Sequence, residues 1–197
     1  MKESIIETIQ KGKIIVDMTG VGKYSVLRTG AALLKADVPA CVIDFDKENL
    51  DYVFDFTRLL ADRFGPDIII CANNIDSKKT AKLARKAGVK AAFCSPDKKT
   101  VSYLKKKGIS VFLNCKTDDD VALAKALLVD AVRLPSRAFK TDLPIILQAT
   151  SLDDLPDAYS GEYIPEFSSP IVTKELLESE SYLEIEQKSL EILRKFN

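Results

Sequence analysis

Short apolar runs alternate with helical segments along almost the whole chain, and this alternation is the feature that most constrains its fold. Strands separated by helices of about 10–15 residues form βαβ units, which build a parallel sheet. The runs are nearly continuous in apolar residues, as expected for strands that are covered on both faces. The eight predicted strands comprise residues 13–17, 40–44, 67–71, 90–94, 110–114, 131–134, 145–148 and 163–167.

Eight strands favour a closed barrel, because a flavodoxin-like open sheet uses about five. We therefore predict one α/β domain over residues 1–197, with the architecture of a small (β/α)8 TIM barrel. An amphipathic helix precedes the first strand, and a long amphipathic helix over residues 173–195 is predicted to end the chain. Residues 138–144 are predicted to be a loop in place of the helix after strand six, so the barrel is trimmed there. Residues 151–161 are predicted to be a second place where the barrel is thinned.

The charge balance and the absence of histidine exclude several classes of function. The 29 Lys and Arg residues equal the 29 Asp and Glu residues, so no global field attracts nucleic acid or an anionic membrane, and neither is expected as a partner. No apolar run approaches the roughly 20 residues that span a bilayer, and the first residues lack the apolar core of a signal peptide, which predicts a cytoplasmic protein. Without histidine, Ser-His-Asp, Cys-His and histidine-based zinc chemistry are excluded.

The four cysteines, Cys41, Cys71, Cys94 and Cys115, lack the paired short spacing of metal or redox motifs. The last three fall at the ends of consecutive strands, where they could hold a soft metal or form a reactive thiol pair. A free cysteine is more often a small buried apolar residue. We predict that role for them, with no bound metal and no cofactor.

Polar side chains gather where the predicted strands end. In (β/α)8 barrels the catalytic groups lie at the carboxyl ends of the strands and in the loops that follow them. The predicted substrate-binding residues at these positions are Asp17, Asn73, Ser95, Arg133, Gln148 and Ser168. The candidate catalytic residues are Asp44, Lys116 and Arg133. Asn114 and Glu166 also fall at strand ends.

Arg133 interrupts an apolar strand and is the most informative single residue. A guanidinium group that stays charged needs a carboxylate, phosphate or carbonyl partner. It could clamp a substrate anion at the mouth of the barrel, or it could form an internal ion pair with Asp17 or Asp44. The sequence leaves both interpretations open.

Residues 109–136 carry the residue order of a known family. Thr117 and Val121 open the helix after strand five, and Arg133 is followed by Leu-Pro at the end of strand six. A Ser-Pro pair at residues 95–96 follows strand four. These features resemble the 2-keto-3-deoxy-6-phosphogluconate/4-hydroxy-2-oxoglutarate (KDPG/KHG) aldolase family, which has Thr-x-x-Glu-Val, Lys-x-Phe-Pro and Ser-Pro at the same places. The resemblance covers nearly the whole chain in layout.

The resemblance implies a class I aldolase, in which a lysine forms a Schiff base with pyruvate and a glutamate shuttles protons. Arg133 falls on the lysine position and Val42 on the glutamate position, while Asp44 lies two residues further on the same face. Arginine does not deprotonate and cannot replace an amine nucleophile. Gln-Ala-Thr at 148–150 and Ser-Ser-Pro at 168–170 replace the glycine-rich loops that approach phosphate in the family. The family also implies a homo-oligomer, namely a trimer.

Three functions follow as hypotheses. The first is a relative without the standard aldolase chemistry, which binds a small carboxylate or 2-oxo acid, or a protein partner. The second is an active lyase in which Lys116 replaces the nucleophile, Arg133 holds the substrate carboxylate, and Asp44 or Asp17 transfers the proton. The third is a metal-dependent aldolase or decarboxylase with Asp17, Asp44 and Asp46 around a divalent cation.

Overall fold

Helices and strands alternate from one end of the chain to the other in the structure, which is a computed structural model. It describes residues 3–45, 49–136, 139–149, 162–167 and 171–196. The elements are, in chain order, α1 Ile5–Gly12, β1 Ile15–Asp17, α2 Val26–Lys35, β2 Ala40–Asp44, α3 Leu50–Phe64, β3 Ile69–Ile75, α4 Lys78–Lys86, β4 Ala91–Cys94, α5 Lys98–Lys106, β5 Ser110–Asn114, α6 Asp118–Ala126, β6 Ala131–Leu134, β7 Ile145–Ala149, β8 Tyr163–Phe167, α7 Lys174–Glu178 and α8 Tyr182–Arg194.

Within the described residues, eight parallel strands pair in the order β1 to β8, and β8 pairs again with β1. The predicted closed (β/α)8 barrel is therefore confirmed. Residues 139–144 contain no helix, which agrees with the predicted loop, whereas residues 151–161 lie outside the described part. The prediction of one domain over residues 1–197 also concerns residues that the structure does not describe. None of the described helices is long and apolar enough to cross a membrane.

The amino-terminal end of the barrel is closed by apolar side chains. Alternate strand residues point inwards and form an apolar interior. Ile6 and Ile9 of α1 are buried in this same interior cluster, together with the first inward residues of several strands. Ser4 begins α1 with a capping box that Glu7 completes. Because α1 plugs this end, a polar site belongs at the opposite end.

The outer faces of the strands pack against the helices in a second apolar layer. Helices α2 and α3 approach each other closely at Gly30, where an added Cβ would lie 2.6 Å from Leu60 Cδ1 and 2.9 Å from Phe64 Cδ2. Packing therefore demands a glycine there. The helices that follow β3, β4 and β5 each begin with a side-chain cap. The capping residues are Ser77, Asp97 and Thr117.

The predicted C-terminal helix is present, but residues 173–195 form two helices in place of one continuous helix. Helix α7 ends at Glu178 and α8 begins at Tyr182. Between them Ser179 Oγ donates to the carbonyl oxygen of Glu175 at 2.7 Å, and Glu180 has a φ of 53°. A serine that bonds to the preceding turn, followed by a left-handed residue, ends a helix.

Strand β3 extends to Ile75, four residues beyond its predicted end at residue 71. Its pairing with β4 shifts in register between Ala72 and Ile75, and Asn74 has a φ of 56°. A bulge of this kind changes the direction in which a side chain points. The irregular segment brings Asn73 and Asn74 to the carboxyl end of the barrel.

Candidate functional site

A layer of polar side chains lies at the carboxyl ends of the strands, and we call it the mouth layer. Strand pairing sets its members side by side, because Asp44 is in register with Asn73, and Asn114 with Arg133. Alternation along each strand directs these positions inwards. In chain order the mouth layer comprises Asp17, Asp44, Asn73, Asn114, Arg133, Gln148 and Glu166.

Arg133 lies inside the barrel and spans it from β6. Its Nη1 donates to Asn73 Oδ1 on β3 at 3.1 Å, and its Nη2 forms a salt bridge with Glu166 on β8. The guanidinium carbon lies 4.7 Å from the centre of the Phe93 ring on β4. Only 10% of the side chain is exposed, so the charge is held by protein groups rather than by water.

The predicted internal partner of Arg133 was wrong, since the carboxylate is Glu166 and neither Asp17 nor Asp44. The Asp17 carboxylate instead accepts from the Thr19 backbone N–H at 2.8 Å and from its hydroxyl group at 2.6 Å. The guanidinium group of Arg133 pairs with the carboxylate on β8 instead.

Asp44 is held by the bulge in β3. Asn74 Nδ2 donates to Asp44 Oδ1 at 2.5 Å. The left-handed backbone of Asn74 points its amide across to β2, where a regular strand would point it elsewhere. The amide thereby fixes one carboxylate oxygen of Asp44 at the rim of the mouth layer.

Glu166 is an acid of the mouth layer whose pKa is strongly raised. Only 2% of the residue is exposed, and this burial raises the pKa of Glu166 to about 7. The adjacent Arg133 charge lowers that pKa, and Asp17 raises it further. Glu166 Oε2 is buried without a hydrogen-bond partner among the described residues. The carboxyl group therefore changes protonation state near neutral pH.

The other predicted site residues lie at the surface or outside the described part. Ser95 follows β4 and is exposed, and Gln148 is exposed on β7, next to Glu166 in register. Lys116 follows β5 and is exposed, and its backbone N–H donates to Asp120 Oδ2 at 2.9 Å. Two further predicted residues, Asp46 and Ser168, lie outside the described residues.

None of the described strands contains a lysine, and Arg133 is the only cation that these strands carry. The mouth layer thus combines one guanidinium with the carboxyl groups of Asp17, Asp44 and Glu166. When all three are ionised, their charge exceeds that of the cation. An anion gains most from Arg133 when at least one carboxyl group is protonated.

The cysteines do not converge on one point. Cys71 lies in the barrel interior, whereas Cys94 and Cys115 lie in the outer apolar layer, and all are free and buried. Burial raises the pKa of Cys94 and Cys115 to about 12, so neither is a thiolate at neutral pH. Among the described residues, no group of three or more Cys, Asp or Glu side chains could hold a metal ion. The proposed Asp46 ligand is not among them.

Glu166 and Asn114 were not selected from the sequence, although both fall at strand ends. Glu166 is preceded by proline in the strand whose sequence signal was weakest, and this obscured it. Asn114 Oδ1 is buried and has no hydrogen-bond partner among the described residues. The alternation of side chains along a strand could have identified Glu166. It lies two residues after the inward-facing Ile164 on β8, just as Arg133 lies two residues after the inward-facing Ala131 on β6.

The barrel is similar to solved structures of known proteins. No family model and no curated protein matches the sequence. The KDPG aldolase from Legionella pneumophila, captured with pyruvate as a covalent carbinolamine intermediate, matches with a TM-score of 0.82. The identity is 11%, over 98% of this chain and 99% of that chain. The chain has the KDPG aldolase fold.

Two further structures match over most of this chain. A 4-hydroxy-2-oxoglutarate/2-dehydro-3-deoxyphosphogluconate aldolase from TTHB1 has a TM-score of 0.80 at 14% identity, with 100% of each chain covered. A cube-shaped protein cage designed by fusing symmetric oligomeric domains has a TM-score of 0.72 at 13% identity. That match covers 93% of this chain and 74% of the cage chain. At these identities the likeness concerns the fold.

Proposed function

We propose that this chain is a divergent member of the KDPG/KHG aldolase family whose mouth layer binds a small carboxylate, such as a 2-oxo acid, without forming a Schiff base. The observation that carries the proposal is the guanidinium of Arg133 inside a barrel whose described strands contain no lysine. A carbinolamine forms when a neutral amine attacks a carbonyl carbon, and a guanidinium that stays protonated supplies no such amine.

Arg133 keeps a hydrogen-bond donor that a ligand could use. Its Nε is buried without a hydrogen-bond partner among the described residues, and its Nη1 already bonds to a neutral amide. The Asn114 carboxamide lies beside Arg133 in register, and its oxygen, which has no partner in the described part of the chain, could accept from a ligand hydroxyl group. A carboxylate at this point would form charge-assisted hydrogen bonds with the guanidinium.

Glu166 competes with such a ligand. As long as Glu166 is ionised, it neutralises the cation that the ligand needs. Because the pKa of Glu166 is about 7, protonation releases the cation at modest cost. We therefore propose that carboxylate binding is coupled to proton uptake by Glu166, and that affinity falls about tenfold per pH unit above pH 7.

Borohydride trapping with pyruvate tests the absence of Schiff-base chemistry. The wild type is expected to gain no mass, whereas R133K is expected to gain the reduced pyruvate adduct because it places an amine on the same inward position. Intact-mass spectrometry measures both. An adduct on the wild type that disappears in K116M, but persists in the matched surface variant K23M, would replace this proposal by the lyase with a relocated lysine.

Calorimetric titration with pyruvate at pH 6 and pH 8 tests the binding site. E166Q removes the competing carboxylate, so we expect its affinity to be the same at both pH values, about tenfold tighter than the wild type at pH 8 and similar to the wild type at pH 6. E162Q removes an exposed carboxylate that precedes β8 and is expected to behave as the wild type at both pH values. Equal affinities for all three proteins at pH 8, or no binding by any of them, would rule out a carboxylate site at Arg133.

Two alternative functions are tested by other experiments. Elemental analysis of the purified protein tests the metal-dependent lyase around Asp17, Asp44 and Asp46, since a stoichiometric divalent metal would favour it. Cleavage assays on 2-oxo acid aldols test lyase activity directly. The structure provides no observation that favours either alternative over the binding site.

We also propose that the protein is a cytoplasmic homo-oligomer. Tyr24, Leu27, Tyr52 and Leu59 are exposed apolar side chains on α2, α3 and the loop before α2, and oligomer interfaces bury such groups. The matching cage chain consists of fused symmetric oligomeric domains, which supports assembly. Light scattering after gel filtration gives the mass, and a trimer is the state expected from the family resemblance.

A further inference from the structure

Positive charge is concentrated in one segment of the chain. Residues 78–107 contain eleven Lys or Arg residues and one acid, Asp97, which gives a net charge of +10. Because the whole chain has a net charge of zero, the remaining residues carry −10. The overall balance therefore conceals one strongly basic segment.

The fold places these charges on one surface. Helices α4 and α5 follow consecutive strands, pack against each other, and carry most of the eleven cations. All eleven side chains belong to exposed residues, and none forms a salt bridge with another described residue. We call this surface the α4–α5 face; its cations are Lys78, Lys79, Lys82, Arg85, Lys86, Lys90, Lys98, Lys99, Lys105, Lys106 and Lys107.

Lysines occupy helix positions that cations normally avoid. Lys78 and Lys79 begin α4, Lys98 and Lys99 begin α5, and neither helix has an acid in its first turn. The helix dipole is positive at this end, so each lysine opposes it. Asp97 at the N-cap of α5 offsets part of this opposition, whereas the N-cap of α4 is the neutral Ser77. None of the four lysines forms a salt bridge with a described residue, which is expected where an external anion supplies the partner.

A groove lies beside α5, and α4 contributes Lys78 to its lining. Its volume is about 470 Å³, and its lining comprises Lys78, Lys98, Lys99, Ser102, Tyr103 and Lys106. The ammonium group of Lys78 lies 5.8 Å from the centre of the Tyr103 ring, so this aromatic face already has a cation on it. Each helix has nine residues, which at 1.5 Å per residue gives a length of about 13 Å. Such a length matches about four successive phosphates of one strand at 3.4 Å each.

We infer that the α4–α5 face binds the phosphate backbone of duplex nucleic acid without reading its sequence. The match is one of charge and length, since four exposed lysines line the groove, one from α4 and three from α5, and each of these helices is about as long as four phosphates. A single-stranded partner would need free aromatic faces for base stacking, and the groove aromatic is half-buried beneath Lys78. This site is independent of the mouth layer and of any ligand bound there.

A lipid surface fits the same face less well. Peripheral membrane binding combines basic residues with exposed aromatic or aliphatic side chains that insert between the headgroups. Among the described residues, the exposed large apolar side chains are Tyr24, Leu27, Tyr52, Leu59, Leu128 and Leu183. None of these lies on α4 or α5. Leu128 lies at the edge of the α4–α5 face, where Lys105 Nζ donates to its carbonyl oxygen at 2.8 Å, but none of the six lines the groove. The groove therefore offers charge without an apolar anchor, as phosphate-backbone binding requires.

Fluorescence anisotropy with a labelled DNA duplex of about 20 base pairs tests the inference at salt concentrations from about 50 to 200 mM. The wild type is expected to bind with a Kd in the micromolar range at the lowest salt, and the affinity is expected to fall steeply as salt rises. The test variant K78Q/K98Q/K99Q/K106Q removes four charges from the groove. Its Kd should rise at least about tenfold, and the salt slope should decrease by about three.

The matched control K11Q/K35Q/K174Q/K188Q removes the same amount of charge from other helices, where the lysines pair with acids. Its Kd should stay within about twofold of the wild type, and circular dichroism should show both variants folded. The inference is overturned if the wild type does not bind the duplex at the lowest salt, or if both variants weaken equally. Stronger binding to a single strand, or to phosphatidylserine vesicles in place of the duplex, would overturn it as well.

Discussion

The charges of the mouth layer and of the α4–α5 face differ in burial and in pairing. In the mouth layer one cation and one acid are almost completely buried and form a salt bridge with each other. On the α4–α5 face eleven cations stand in water with no salt-bridge partner among the described residues. Removing one partner of the buried pair should therefore cost much free energy of unfolding, because it leaves an uncompensated buried charge. Removing a surface charge should cost little, because solvent screens it. Stability should therefore depend on the first region, and long-range attraction on the second.

The largest effect is expected from breaking the buried pair. R133M leaves Glu166 buried without its counter-ion, which should cost about 3–5 kcal/mol in free energy of unfolding. Urea denaturation at pH 8 measures this loss. R28M breaks the exposed pair of Arg28 and Glu180 and is expected to leave the stability essentially unchanged. Equal losses in the two variants would mean that burial does not distinguish the two kinds of pair.

An intermediate effect is expected in the pH dependence of stability. Folded Glu166 keeps its proton up to about pH 7, whereas the unfolded chain releases it near the ordinary value of 4.5. Between these values the folded state binds more protons, so this group lowers the free energy of unfolding as pH rises and has no further effect above about pH 7. The total amounts to about 3 kcal/mol.

E166Q cannot release that proton, so its stability should lack this component. The difference in free energy of unfolding between E166Q and the wild type should grow from pH 4.5 to pH 7 and then stay constant. Parallel denaturation series at half-unit pH intervals check the trend. A difference that is independent of pH would show that Glu166 is ionised throughout this range.

The smallest effect is expected on the surface. The four substitutions K78Q/K98Q/K99Q/K106Q should change the free energy of unfolding by less than about 0.5 kcal/mol. A rise is expected rather than a fall, because three of these lysines oppose a helix dipole. Thermal denaturation measures the sign. A marked loss of stability would show that these lysines support the fold and would remove the contrast between the two regions.

Much of the fold and part of the candidate site could be predicted from the sequence. Six of the eight strands end at the predicted residue, and Arg133 faces the barrel interior as expected. The break at Ser179 was missed because the apolar periodicity continues on both sides of it. The end of β3 was missed because Asn73 and Asn74 resemble loop residues, although a bulge keeps them in the strand.

The sequence by itself determined the order of strands and helices and the inward position of Arg133, because both depend on periodicity among near neighbours. Only the tertiary structure decided that Glu166 is its partner, 33 residues further along the chain, and that α4 and α5 join their lysines around one groove. Those relations depend on how the barrel closes and on the register of every strand between. The strand count predicted that the barrel closes, but periodicity does not determine register or which inward residues meet across the barrel, since a different register would leave that periodicity unchanged.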